Sequence, residues 1–334
     1  MIGVADAHDA FGTPVRSLYG AGFGDLSPRP EDLSGIDVLI IDLQDVGARY
    51  YTFVWTAVLA MRACARANVG VLVLDRPNPI GGDLALVEGR RQAGGYCSFV
   101  GLEPIPVRHA LSLGEIVAWR ADVEGIPDEL VRVLPVRGLD RERHATDWDR
   151  PFVMPSPNMP SYETALVYGG GCLVEGTNLS EGRGTTRPFE LVGAPWIDGH
   201  RLALDLNALG LPGARARTVT FRPTFHKHEG RVCGGVQIHV TNALTFRPLA
   251  TYLALIALAH AQDPGRFAFR TEKYEFRDDV PAFDLLTGGA EARQLILRGD
   301  RPAFVAEAIS AVDRRDREIV DEAIRAATRR AVRE

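Results

Sequence analysis

Val38-Leu-Ile-Ile-Asp42-Leu-Gln44-Asp45-Val-Gly-Ala-Arg49-Tyr-Tyr51 and Val71-Leu-Val-Leu-Asp75-Arg76-Pro-Asn78-Pro-Ile-Gly-Gly82 are built to one plan. Each is an apolar run that closes on an aspartate and passes into a polar tail. A fully apolar run of this length is expected of a buried strand in a parallel sheet. Between the two, residues 51–67 carry a helical pattern, with Asn68 and Gly70 as the stop. Strand, helix, strand in this order predicts a βαβ unit with parallel pairing. Both polar tails then leave the same carboxyl edge of the sheet, where open α/β sheets bind ligands. That argument makes Asp42, Gln44, Asp45, Arg49, Asp75, Arg76 and Asn78 candidate site residues. The plainer alternative for Asp42 and Asp75 is that they cap the turns that follow.

Working outward, residues 14–18 read as a strand and residues 131–135 as another. Residues 112–121 read as a helix, with Ser112 and Glu115 forming a capping box. A proline-rich passage at 151–160 reads as a boundary, giving a Rossmann-like domain over 1–150 and a smaller α/β domain over 151–334. In the second half, strands are expected at 165–168, 172–175, 218–221 and 236–240. Helices are expected at 199–208, 248–261 and 303–330.

The 334 residues allow two cores, and 46% apolar content is that of a globular chain. A net charge of −5 with no basic stripe gives no reason to expect nucleic acid. The arginines at 314, 315, 317, 325, 329 and 330 interleave with acids at helical spacing and read as a solvated helix face. Cys64, Cys97, Cys172 and Cys233 form no C-x-x-C pair and read as small buried residues. No apolar run reaches bilayer length, and the first residues do not read as a signal peptide. The compartment stays open.

The densest polar stretch is Glu175-Gly-Thr-Asn178-Leu-Ser-Glu181-Gly-Arg183-Gly-Thr-Thr-Arg187-Pro-Phe. Apolar runs enter and leave it, and a polar loop between buried segments is where sites are usually built. Set against this is a solvated loop held by local salt bridges. His109, fixed between Pro106 and the helix at 112, is either structural or an acid–base group. His226 and His228 flank Lys227 without a carboxylate at ligand spacing, so they read as a surface turn rather than a metal site. Gly81-Gly82 and residues 169–171 do not fit a dinucleotide fingerprint, and there is no Walker lysine. No metal or cofactor is called for.

The two strand-end motifs, Pro155-Ser-Pro-Asn158-Met-Pro160, the stretch from Glu175 to Glu190, Cys233-Gly-Gly-Val-Gln-Ile-His-Val and Phe283-Asp-Leu-Leu-Thr-Gly288 together resemble the exo-β-N-acetylmuramidases of the NamZ type, formerly a family of unknown function. The resemblance covers nearly the whole chain. It implies a glycosidase of cell-wall recycling that removes N-acetylmuramic acid from the non-reducing end of peptidoglycan fragments. The implied architecture is a Rossmann-like domain on a smaller α/β domain, with the site in the cleft between them. Two further readings stand beside it: a non-catalytic muropeptide-binding protein, and a nucleotide- or phosphate-binding Rossmann protein. Family members carry an upstream Pro-Glu-His-Gly-Phe segment, whose glutamate is the family's catalytic acid, and no Glu-His-Gly occurs here. The expectation is a chain lacking the first strands of its sheet, with an apolar edge uncovered and a tendency to oligomerise.

Glycoside hydrolysis needs a proton donor and a second group that activates water or steadies the oxocarbenium ion. Asp45, Glu175, Glu181 and His109 are the candidates for that work. The substrate's lactyl carboxylate calls for bidentate arginine. Arg183 or Arg187, paired with Arg49 or Arg76, is expected to clamp it, and Asn158 and Asn178 complete the expected binding set.

Overall fold

The computed structural model describes residues 6–138 and 140–332. A short hairpin, β1 (Ala7–His8) and β2 (Pro14–Val15), comes first. Then β3 (Val38–Ile41), α1 (Phe53–Arg66), β4 (Gly70–Leu74), α2 (Leu113–Val123) and β5 (Val131–Leu134) build a parallel sheet in the order β3-β4-β5. The expected βαβ unit is therefore present. The α2 capping box is present too: Ser112 Oγ accepts the Glu115 N–H at 3.2 Å and Glu115 accepts the Ser112 N–H at 2.9 Å.

β3 departs from the expectation of a buried strand. It is an edge strand, with Val38 51% and Ile40 58% exposed on one face. Only Ile41 is buried, because the sheet has no neighbour beyond β3 among the described residues.

The second half begins with α3 (Tyr162–Gly171), where residues 165–168 were expected to be a strand. Residues 172–175 are likewise not a strand but a 3₁₀ turn over Cys172–Gly176. Ser161 caps α3 by accepting the Thr164 N–H, and the helix is buried on nearly all sides. A segment buried all round shows no amphipathic period, so its pattern cannot distinguish helix from strand. Gly170 allows α3 to lie directly on the next long helix, since a Cβ there would come within 2.0 Å of the Pro248 carbonyl oxygen.

Next come β6 (Leu191–Ala194), which the pattern had not signalled, α4 (Gly199–Ala208), β7 (Ala214–Phe221) and β8 (Cys233–Val240). The three strands form an antiparallel sheet in the order β6-β8-β7. The central helix α5 (Pro248–Gln262) buries Leu253, Leu255 and Ile256 completely, each worth about 1.5–3 kcal/mol. The chain ends in α6 (Ala282–Thr287), α7 (Glu291–Leu297), α8 (Pro302–Ser310) and α9 (Arg314–Arg330). The single helix expected over 303–330 is thus two, divided where Asp313 and Asp316 form a capping box for α9.

α9 returns to the first sheet. Its Ile319, Val320, Ala323 and Ala326 join the core beneath β3–β5, α1 and α2. Arg330 is buried there, donating to the carbonyls of Ile126, Pro127 and Val131, so it departs from the solvated face expected of its neighbours. Charged side chains also tie the two halves. Glu88 accepts the Leu249 and Ala250 N–H groups at the start of α5, and buried Arg108 donates to the Ile80 and Phe246 carbonyls. No helix among the described residues is long and apolar enough to cross a membrane.

Candidate active site

The parallel register sets Ile41 beside Val73, so Asp42 and Asp75 leave the sheet at one edge. They then diverge. Asp42 stays half exposed and meets Arg76 at 2.7 Å, whose guanidinium holds its carboxyl below the usual range. Asp75 turns inward to the N-terminus of α2, accepting Ser112 Oγ–H at 2.6 Å and the Gly114 N–H at 2.8 Å. Burial, the largest influence, pushes its carboxyl up to about 6 against those hydrogen bonds. Gly114 is required at this contact, because a Cβ would lie 2.6 Å from the Asp75 carboxyl carbon.

Asp45 is 3% exposed, with Oδ2 accepting the Gly47 N–H at 2.7 Å and Oδ1 without a partner. Burial raises it to about 7, more than the Gly47 and Val46 N–H groups lower it. His109 Nε2 lies 3.5 Å from Asp45 Oδ2. His109 Nδ1 accepts the Leu111 N–H at 3.1 Å, so the neutral ring carries its proton on Nε2, facing the carboxyl. Burial pushes His109 down to about 3, so near neutrality this contact joins a neutral imidazole to a carboxyl poised near its titration point. Gln44 and Asn78 brace the edge: Gln44 Nε2 donates to the Asp45 and Pro77 carbonyls, and Asn78 Nδ2 donates to the Leu111 carbonyl.

Arg49 does not belong to the expected clamp. It is 0% exposed, and its guanidinium donates to the carbonyls of Arg90, Ile105 and Leu286. Asn178 is likewise structural, its side chain bridging the Arg266 carbonyl and the Ala268 N–H. Asn158 lies half-buried in the proline-rich passage ahead of α3.

The polar motif forms a network of ion pairs. Glu175 takes Arg183 at 2.7 Å on one oxygen and the Tyr274 hydroxyl at 2.9 Å on the other. Arg183 also approaches Glu181 at 3.4 Å and stacks over the Phe189 ring at 5.1 Å. Glu181 is 0% exposed. Lys227 Nζ reaches it at 3.0 Å and His226 Nδ1 at 2.9 Å, both off the straight hydrogen-bond direction. Burial alone would raise the Glu181 carboxyl, but His226 and Lys227 outweigh it and hold the group ionised. Lys227 also donates to the carbonyls of Val174, Glu175 and Leu179. Arg187 is half exposed, 3.5 Å from Glu190.

The surface turn expected at residues 226–228 is present, with His226 exposed, and its side chains are tied to the motif loop. Lys227, His226 and Tyr274 were missed. One signal was available: of 38 basic residues only Lys227 and Lys273 are lysines. A lysine in such a chain marks a place for a compact point charge rather than a fork.

Tyrosines link the two groups. Tyr51, whose phenol is raised by burial and then by the Asp45 charge, packs edge-on against Tyr168 at 5.9 Å. Tyr168 packs on Phe189 at 4.8 Å, beneath Arg183. A cavity of 570 Å³ lies elsewhere, between residues 90–96 and 287–292, and is lined by none of the candidate site residues. A groove of 490 Å³ lies against the motif, lined by Thr177, Asn178, His226 and Arg270 among others. Lys227, Arg270 and Glu272 bring charge to the second.

Residues 3–163 match the family description "Exo-beta-N-acetylmuramidase NamZ, N-terminal", and residues 166–314 match its C-terminal counterpart. The peptidoglycan beta-N-acetylmuramidase NamZ of Bacillus subtilis (strain 168) is 42% identical over 288 residues, which are 86% of this chain and 66% of that protein. The match therefore spans just under two thirds of the relative's length. The crystal structure of a DUF1343 family protein from Bacteroides fragilis NCTC 9343 superposes with a TM-score of 0.81 at 28% identity, covering 98% of this chain and 82% of the other. A second DUF1343 protein of that organism gives 0.68 at 26% identity, covering 97% and 81%. Its two halves matched in order, and its strand-end and loop motifs in place on the shared fold, the chain belongs to the exo-β-N-acetylmuramidase NamZ family.

Proposed function

We propose that the protein is a glycoside hydrolase that releases N-acetylmuramic acid from the non-reducing end of peptidoglycan fragments. The observation that carries this reading is Asp45: a buried carboxyl at the ligand-binding edge of a parallel sheet, with an unpartnered oxygen and a titration point pushed up to about 7. A carboxyl so tuned keeps its proton near neutrality and can give it to the leaving glycosidic oxygen. His109 is then a neutral N–H that orients it.

Glu175 and Glu181 supply the fixed anions of the motif, and Arg183 holds both in register. An N-acetyl sugar can offer its own acetamide oxygen to the anomeric carbon. The protein's second group then needs only to orient and steady charge. For the lactyl carboxylate, Arg76 and Arg187 are the most exposed arginines of the expected set, at 44% and 50% of the side chain against 26% for Arg183, which is held by Glu175.

The test is chromophore release from a chromogenic β-N-acetylmuraminide against the matching β-N-acetylglucosaminide. Faster turnover of the muraminide than of the glucosaminide is expected, with kcat falling about 100-fold or more in Asp45→Asn. An unchanged kcat would remove Asp45 as the acid, and equal turnover of both sugars would remove the muramic specificity. The depth of Asp45 favours one second reading, a muropeptide-binding protein without catalysis; sugar binding without release would decide for it.

A further inference from the structure

The 570 Å³ cavity takes its walls from both halves of the chain. Residues 90–96 come from the first half. The turns between α6 and α7 and between α8 and α9 come from the second. Backbone bonds pin these segments together: the Ala93 N–H donates to the Gly288 carbonyl at 2.9 Å, and the Gly89 N–H to the Ser310 carbonyl at 2.8 Å. Gly288, at φ +82°, lets its turn close on the opposing wall, since a Cβ there would lie 2.9 Å from Gln92 Cα. The space is therefore preformed, and its volume falls in the range of small-ligand sites, about 300–1,000 Å³.

Two arginines line it, and the distances separate their roles. Arg91 is structural: its Nη1 meets Asp313 at 2.8 Å and the completely buried Asp316 at 2.9 Å, fastening the start of α9. Arg90 is held in place without being neutralised. Its backbone carbonyl accepts Arg49 Nη1 at 2.8 Å, and its Nη2 donates to the Ala308 carbonyl at 3.2 Å. The carboxylate it faces, Glu291, stands 3.9 Å away, beyond hydrogen-bond reach. The two side chains are 50% and 61% exposed, and so loose a pair contributes little to stability and opens easily.

The rest of the lining is mixed. Ala292, Ala308 and Ile309 give an apolar patch, and Tyr96 adds a half-buried ring. Gln92 is 5% exposed and gives its Nε2 to the Gly101 carbonyl at 2.7 Å, while its Oε1 has no partner. A buried acceptor left unpaired is costly, and an ammonium brings three donors.

We propose that this cavity binds a free α-amino acid with an apolar side chain, its carboxylate on the Arg90 fork, its ammonium on Glu291 and its side chain against Ala308 and Ile309. The match is one of sign and spacing. An α-amino acid carries both charges on a single carbon, and Arg90 and Glu291 present the two opposite charges side by side. Insertion turns one pair at 3.9 Å into two direct charge-assisted contacts. A simple anion would leave Glu291 facing like charge, and a peptide holds its terminal charges too far apart. The site stands apart from the glycosidase reading, since none of the candidate catalytic residues lines it.

The test is calorimetric titration of the full chain with L-leucine, and with N-acetyl-L-leucine and L-leucinamide, which lack the ammonium and the carboxylate charge in turn. L-leucine is expected to bind, and each analogue to bind at least tenfold more weakly. Arg90→Ala and Glu291→Gln are expected to weaken L-leucine at least tenfold. Gly289→Leu fills the space itself: Gly289 lines the cavity, its backbone is not left-handed, and a Cβ there meets nothing within 4 Å. That variant is expected to keep its melting temperature and lose binding. Should it fail to fold, the two charge variants decide alone. No binding of L-leucine by the wild type, equal binding of N-acetyl-L-leucine, or undiminished affinity in any folded variant overturns the site.

Discussion

Lys227→Met removes the ammonium on which the motif loop is built, and its cost can be worked from the contacts. Glu181 is completely buried, and Lys227, at 3.0 Å, is nearer to it than Arg183, at 3.4 Å. Removing one member of a buried pair costs about 3–5 kcal/mol, because the other is left charged and poorly compensated. Arg183 at 3.4 Å and His226 at 2.9 Å remain, so the low end, about 3 kcal/mol, is the expected loss. An unfolding entropy of about 2.1 cal/mol/K per residue gives about 0.7 kcal/mol/K for a chain of this length, so Tm should fall by about 4 °C at pH 7.

The pH dependence is the sharper reading. The wild-type Glu181 carboxyl is held below its unfolded value, so its stabilisation is complete above the ordinary carboxylate range and is lost as pH falls through the folded value. In the variant burial prevails and the carboxyl rises, so acid relieves it. The Tm gap should therefore shrink from pH 7 to pH 4, and in a double-mutant cycle Lys227→Met should cost less when Glu181 is already Gln. A gap under 1 °C at pH 7, or one of equal size at both pH values in calorimetry, would refute the reasoning.

Asp45 has the opposite sign. Its folded value, about 7, stands above the unfolded one, so it destabilises progressively as pH rises from about 4 to 7. Asp45→Asn should raise stability above pH 7 by up to about 4 kcal/mol and flatten that part of the stability–pH curve, read by urea titration. Arg49→Leu should lower Tm by several degrees, since three buried carbonyls lose their donors, yet leave the muraminide-to-glucosaminide preference of the folded protein unchanged. A changed preference with intact Tm would return Arg49 to the binding set. Arg76→Ala and Arg187→Ala should each raise KM for the muraminide about tenfold or more with little change for the glucosaminide. Equal effects on both sugars would exclude a lactyl contact.

The legible parts of this protein were the locally coded ones. The runs at 38–42 and 71–75 could be read as parallel strands because four apolar residues closing on an aspartate, with a helix between, leave one economical pairing. The box at Ser112 and Glu115 was legible because a cap is settled within four residues. α3 was not legible: buried on every side, it carries no period, and only its docking on α5 through Gly170 reveals its need for helical curvature. The break before α9 was hidden by good helix formers on both sides of Asp313.

By itself, the sequence determined the family, the βαβ edge from which Asp42 and Asp75 emerge, and the concentration of charge between Glu175 and Arg187. These depend on neighbours in the chain, or on motif order along it. Tertiary structure alone decided which charges could act. It set Arg49 against three carbonyls, gave Asp75 to the start of α2, left Asp45 with a free oxygen beside a neutral His109, and carried Lys227 and His226 onto Glu181. The physical reason is that a charge's behaviour depends on its distance from other charges and from water. Both are fixed only when segments remote in sequence meet in the folded chain.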